Sequence, residues 1–230
     1  MTENCLLTAF PATDDEALHW WHVADGAVQA WGCDPDPIAA SQAYGPNDAP
    51  SDIFLIALVS SHLTRIKEHD AIEGVNEQQA LAAAKITAKA DSLESENIHI
   101  VAAADGEDRV ITAAIGRDIL SAGLIQLQAR DPDMIIPVGS LLPVADEAAF
   151  SADFGFDQVL RAGPVIATDD PALRQFLFAD LTVKPIIRDD FDAMIVGAPA
   201  KGGLNFRSGP FAKKTQRTMA AQEKRLLGWM

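Results

Sequence analysis

The chain has 230 residues, 48% of them apolar, which suffices for one large domain or two small ones with real cores and excludes a disordered polypeptide. Its formal charge of −15 is unevenly spread: Lys201 to Met230 hold seven bases (Lys201, Arg207, Lys213, Lys214, Arg217, Lys224, Arg225) against Glu223, leaving 11 bases and 32 acids, a balance of −21, in the first 200 residues. Such an acidic body excludes nucleic acid as a partner, because phosphate binding needs a basic face and the basic cluster here is a short terminal one.

In chain order, NCLLTAF (residues 4 to 10) reads as a strand and ALHWWHVADGAVQAWG as a hairpin whose Asp25-Gly26 turn is the favoured two-residue kind, so the chain opens with three strands. Residues 33 to 51, with Pro35, Pro37, Pro46 and Pro50, read as a loop, and DIFLIALVS after them as a buried strand that LTRIKEH continues by alternation. NEQQALAAAKITAKA predicts a helix capped by Asn76 or an earlier residue, with Ala80, Leu81, Ala84 and Ala88 on one face. NIHIVAAA and RVITAAIG form a second hairpin, and RDILSAGLIQLQARD a second helix ending near Pro132. Then MIIPVGSLLP, FDQVLRAG and PVIAT read as short strands, DPALRQFLFADL as a third helix, and VKPIIR as an edge-like strand. The alternation argues for an α/β fold with mixed sheets. The polar, aperiodic stretch LPVADEAAFSADFG marks a boundary, dividing the chain into an N-terminal α/β region (1–145), a second α/β subdomain (146–203) and a basic juxtamembrane segment (204–230).

No residue set reads as a catalytic or metal centre. Cys5 and Cys33, 28 residues apart and without a CxxC, read as buried thiols of a reducing compartment. His19 and His22 sit three apart in a strand, on opposite faces, and do not share a metal. Ser140 lacks the GxSxG elbow of a nucleophile and reads as a turn hydroxyl. The acids of RDDFD (Asp189, Asp190, Asp192) lack EF-hand spacing and read as a solvated charge run. In GAPAKGG, Gly202 is followed by Gly203 and Leu204 where a phosphate loop needs lysine and a hydroxyl, so a flexible linker is expected. There is no GxGxxG behind a strand.

The amino-terminal MTENCLLTAFPATDD has no positive n-region, so no signal peptide is expected, and no run approaches the roughly 18 apolar residues of a membrane span. As given, the chain is expected to be soluble and cytoplasmic. Its closing segment, FAKKTQRTMAAQEKRLLGWM, places Lys213, Lys214, Arg217, Lys224 and Arg225 ahead of LLGWM, with Trp229 at the apolar edge. Lys and Arg are enriched on the cytoplasmic flanks of membrane helices and Trp at the interface. These six residues are therefore read as membrane-proximal, ahead of a C-terminal span absent from this chain. The alternative is a terminal helix packing Leu226, Leu227 and Trp229 on the body.

Several ordered pieces, ALHWWHVADGAVQAWG, DIFLIALVSSHLTRIKEHD, ENIHIVAAA and, most specific, DPDMIIPVGSLLP with LNFRSGPFA, make the chain resemble the cytoplasmic region of the L component of bacterial type II secretion systems. The resemblance implies a fold similar to actin-like ATPases, with ribonuclease H-like subdomains, and a place on the cytoplasmic side of the inner membrane. It implies docking of the N-terminal domain of the secretion ATPase, association with a second inner-membrane platform component, and a homodimer. FPATDD stands after the first strand where active actin-like ATPases have an Asp-x-Gly phosphate turn, and no Asp-x-Gly-Gly follows later, so the nucleotide site is expected to be degenerate and no cofactor is assigned. Two readings result: a noncatalytic scaffold working through surface contacts, and a nucleotide-hydrolysing actin-like enzyme of a pilus or secretion system.

Overall fold

The computed structural model describes residues 4–13, 17–42, 53–70, 72, 74–104, 109–127, 131–145, 148–179 and 181–213. The three opening strands form as the sequence suggests: β1 (Asn4–Ala9), β2 (Leu18–Ala24) and β3 (Ala27–Asp34) pair antiparallel. Asp25 (φ 52°) and Gly26 (φ 73°) make the tight turn, in which both central residues take the left-handed conformation. Next, β4 (Phe54–Val59) adds parallel to β1, and β8 (Met134–Pro137) parallel to β4, giving a five-stranded sheet ordered β3-β2-β1-β4-β8. β4 is apolar throughout because both of its faces are covered.

Between β4 and β8 the chain builds a three-stranded antiparallel sheet, β5-β7-β6, from β5 (Thr64–Asp70), β6 (Ile98–Ala104) and β7 (Arg109–Gly116). Helix α2 (Glu77–Ala90) packs on it, buries Ala84 and starts with a full capping box: Asn76 Oδ1 accepts from the Gln79 N–H, and Gln79 Oε1 accepts from the Asn76 N–H. Helix α3 (Arg117–Gln126) returns the chain to the first sheet and buries Leu120. A third sheet, ordered β11-β10-β9-β12, comprises β9 (Ala148–Asp153), β10 (Gln158–Ala162), β11 (Val165–Thr168) and β12 (Thr182–Pro185), with helix α4 (Pro171–Leu177) between the last two. It repeats the plan of the first sheet: three antiparallel strands, then a parallel neighbour for the first of them.

Four sequence expectations are corrected. The proline-rich stretch contains helix α1 (Pro37–Gln42), because Asp36 accepts from the Ala39 N–H and Pro37 suits a first helical turn. The stretch expected to be polar and aperiodic contains β9, whose small Ala and Ser side chains hide its alternation although Ala149 is fully buried. RDDFD is solvated at Asp189 and Asp190, as expected, but it also opens a helix the sequence reading lacks, α5 (Arg188–Val196): these two acids lie in the first turn, where the helix dipole favours them, while Phe191 and Ile195, one turn apart, enter the core. GAPAKGG is no loose linker either, since Ala198–Leu204 forms 3-10 turns that bury both end residues. A fifth correction concerns Cys33, which is exposed on edge strand β3, whereas Cys5 is buried and its thiol pKa is pushed up to about 12 by burial and by Asp133.

The core lies between the layers. Leu7, Trp21, Ile56, Leu58 and Ile136 of the first sheet meet Ala152, Phe154 and Val159 of the third and Phe191 and Ile195 of α5. Ala57, Val59 and Ile135 meet Val101 and Ile115 of the three-stranded sheet, together with Leu120, Leu204 and Phe206.

Sheet edges are closed by different devices. At β12, Ile186 donates its N–H to Ser151 O (2.8 Å), so the alternate position, Pro185, turns its missing N–H outward, and Lys184 adds a charge to the expected edge strand. At β8, residues 204–213 form a strap: the Phe206 N–H donates to Ile135 O (2.8 Å), and the Ile135 N–H donates to Asn205 Oδ1 (3.0 Å).

Candidate functional site

The two repeated sheets meet at a seam formed by the exit of β4, the β9–β10 turn and the end of β11. Asp157 lies at its centre, with its side chain fully buried. Its Oδ2 accepts from Ser60 Oγ (3.0 Å) and the Ser61 N–H (2.5 Å), and its Oδ1 from Ser61 Oγ (3.1 Å). Ser61 Oγ also lies 3.2 Å from Thr168 Oγ1, which His62 Nδ1 approaches to 3.2 Å. One carboxylate thus ties the strand leaving the first sheet to a hairpin of the third.

Beside this knot, the β9–β10 turn reads Asp153-Phe154-Gly155-Phe156-Asp157, an Asp-x-Gly that lacks a second glycine and so escaped the sequence reading. Its local geometry is an Asx turn: Gly155 takes φ 81° and donates its N–H to Asp153 Oδ1 (2.7 Å). The space above it is taken. A Cβ on Gly155 would stand 2.3 Å from Cε1 of His19, so the imidazole packs directly on the Gly155 Cα, while the Gly155 N–H is already spent on Asp153. His19 in turn contacts Phe156 (ring centroids 6.2 Å apart) and Trp21 (6.5 Å), and the cluster continues through Phe154 to Phe191 (5.2 Å). An aromatic plug in place of free backbone donors does not fit a phosphate chain.

The remaining sequence candidates are dispersed. His19 and His22 lie on opposite faces of β2, and His22 Nε2 lies 2.8 Å from Asn4 Oδ1. Ser140 donates to Pro137 O (2.6 Å) within a 3-10 turn. Asp189 and Asp190 are exposed, and Asp192 pairs with Arg188. Among the described residues no group of three or more His, Cys, Asp or Glu side chains could hold a metal. Of the residues read as membrane-proximal, Lys213 is placed, with Nζ 2.5 Å from Asp133 Oδ1; Lys214, Arg217, Lys224, Arg225 and Trp229 lie outside the described residues. Arg207 grips Asp131 with Nη2 (2.7 and 2.8 Å) and donates from Nε to Pro132 O (3.1 Å), so two bases of the cationic end pin the strap to the start of β8. Among the described residues no helix is long and apolar enough to cross a membrane.

His99, on β6, holds the same strap from the other side. Its Nε2 lies 3.0 Å from Phe206 O and 3.4 Å from Ser208 Oγ, and its ring meets Phe211 edge-on at 5.0 Å. Burial, first of all, lowers its pKa; the hydrogen bond to the Phe206 carbonyl opposes the shift, and Arg117 and Lys85 add to it. Burial also lowers His22, and burial with Lys67 lowers His69. All three therefore stabilise the fold as neutral rings. That stabilisation is complete above the unfolded-state value of about 6.5 and is lost as pH falls through that value toward the lower folded ones. The melting temperature is expected to drop between pH 7 and pH 5, and replacing His99 with Gln should flatten the slope. A melting temperature constant over this range would refute the assignment.

Two sheets of the same plan, each opening with three antiparallel strands that gain a parallel neighbour, define a mixed α/β fold of the actin-like ATPase kind, with ribonuclease H-like halves. The particular likeness is to the cytoplasmic domain of EpsL, an inner-membrane component of the type II secretion system of Vibrio cholerae: TM-score 0.70 at 13% identity, over 90% of this chain and 99% of that one. Weaker likenesses are to the PilM-PilN type IV pilus biogenesis complex (TM-score 0.48, 15% identity, 87% of this chain and 70% of that one) and to a Bacteroides thetaiotaomicron protein of actin-like ATPase fold and unknown function (0.40, 8%, 88% and 90%). No protein-family model and no curated protein matches the chain.

Proposed function

We propose that this chain is the cytoplasmic part of a type II secretion assembly-platform protein, noncatalytic, which docks the N-terminal domain of the secretion ATPase on the cytoplasmic side of the inner membrane. The observation that carries the reading is the likeness to the EpsL cytoplasmic domain over 99% of that chain. Two features of the molecule support it. The His19 ring packed on Gly155, whose N–H is already bonded to Asp153, does not suit a phosphate chain, which favours a scaffold over an actin-like ATPase. The charge of −21 on the first 200 residues suits a basic partner and repels an anionic leaflet, while the cationic end suits lipid. Association as a homodimer and with a second platform component belongs to the same reading.

The test is a binding measurement against the N-terminal domain of the cognate secretion ATPase. A saturable complex is expected, with an association rate that falls as salt rises. In parallel, millimolar ATP with magnesium should leave the melting temperature unmoved. Absence of a complex, or nucleotide turnover by the purified chain, refutes the reading.

A further inference from the structure

A platform protein needs a surface on which its partner sits. We propose that the outward face of helix α4, with Phe176 as anchor and Leu173 beside it, is where a basic protein partner docks; the inference rests on the platform reading, in which that partner is the N-terminal domain of the secretion ATPase.

Helix α4 is held firmly. Asp170 Oδ1 accepts from the N–H groups of Ala172 (2.8 Å) and Leu173 (3.1 Å), and Pro171 opens the helix. Arg174 reaches back with Nε and Nη2 to both carboxylate oxygens of Asp169. At the far end Phe178 is buried among Ala149, Leu160 and Ala162. Phe178 therefore serves the core, and Phe176, two residues earlier, does not: it is 83% exposed, with Leu173 39% exposed one turn away on the same face. A large aromatic side chain displayed on a preorganised backbone, inside a polar rim, is how interface anchors are built.

The segment that carries this face has an acidic excess. Residues 169–182 contain three acids, Asp169, Asp170 and Asp180, and a single base, Arg174, which is spent on Asp169. With Asp169 paired to Arg174, the exposed Asp170 is, among the described residues, the unpaired acid at the start of the helix that displays the two apolar side chains. The occupant must bring an apolar pocket with Lys or Arg around it. A second copy of this chain would set acid against acid, and an anionic lipid surface would be repelled for the same reason. Two other exposed apolar side chains, Trp31 and Ile86, lack this setting. Trp31 lies under the Arg188 guanidinium, 5.4 Å from the ring centroid, and Ile86 stands on α2 between Lys85 and Lys89.

The experiment measures affinity for the cognate ATPase N-terminal domain with the wild-type chain and with F176E, L173E and, as an exposed apolar control elsewhere, I86E. F176E and L173E should each weaken binding about tenfold or more. I86E should bind like wild type, and all melting temperatures should match. If wild type binds and F176E binds equally well, the surface is wrong while the platform reading stands. If wild type does not bind, both fall. If F176E abolishes self-association and leaves ATPase binding intact, the face belongs to a second copy and the inference is overturned.

Discussion

Replacing Asp157 with alanine is expected to lower the melting temperature by roughly 10 °C, at about 2–4 °C per kcal/mol for a chain of this length. The carboxylate is fully buried and accepts from Ser60 Oγ, the Ser61 N–H and Ser61 Oγ. Alanine leaves these donors without their acceptor inside the seam, and the combined cost is about 3–5 kcal/mol. Asparagine keeps the shape and one acceptor oxygen, so D157N should lose less. Differential scanning calorimetry on the three proteins separates the outcomes: a D157A transition within about 1 °C of wild type would mean that water replaces the carboxylate at no cost and that the seam does not depend on it.

Phe206→Ala should cost a similar amount by a different route. Phe206 has no solvent exposure and fills a site among Val101, Ile115, Leu120 and Ile135. Truncation of a buried Phe typically costs about 3–5 kcal/mol, the transfer energy lost plus the cavity left. The change should also loosen the strap, since the buried ring seats the backbone whose N–H donates to Ile135 O and whose carbonyl meets His99. Urea denaturation gives the first quantity. Hydrogen exchange at the amides of residues 135 and 206 gives the second, with protection expected to collapse at both. Unchanged protection would show that the strap stays seated without the Phe206 ring, through Asn205, His99, Arg207 and Lys213.

Much of the fold was legible because its signals are local. The Asp25-Gly26 turn, a helix start at or before Asn76 and the uninterrupted apolar run of β4 each sit within a few residues, and each produced the element expected. Elements were missed where composition masks period. Acids on α5 hide the Phe191–Ile195 stripe, and alanines in β9 hide a central strand. The site was least legible. Ser60 and Asp157 are 97 residues apart, and no local pattern pairs a strand exit with a distant hairpin. The Asp153-x-Gly155 turn was within reach of sequence, whereas the imidazole of His19 over it was not.

The placement of the strap has a mechanical consequence. Tension transmitted along the backbone from beyond Lys213 would first strain its contact with Asp133, then the grip of Arg207 on Asp131, and then the seat of Phe206 against β8. Traction would thus be absorbed by the outermost strand of the opening sheet, and α4, on the sheet across the seam, could stay undistorted while the molecule is tugged.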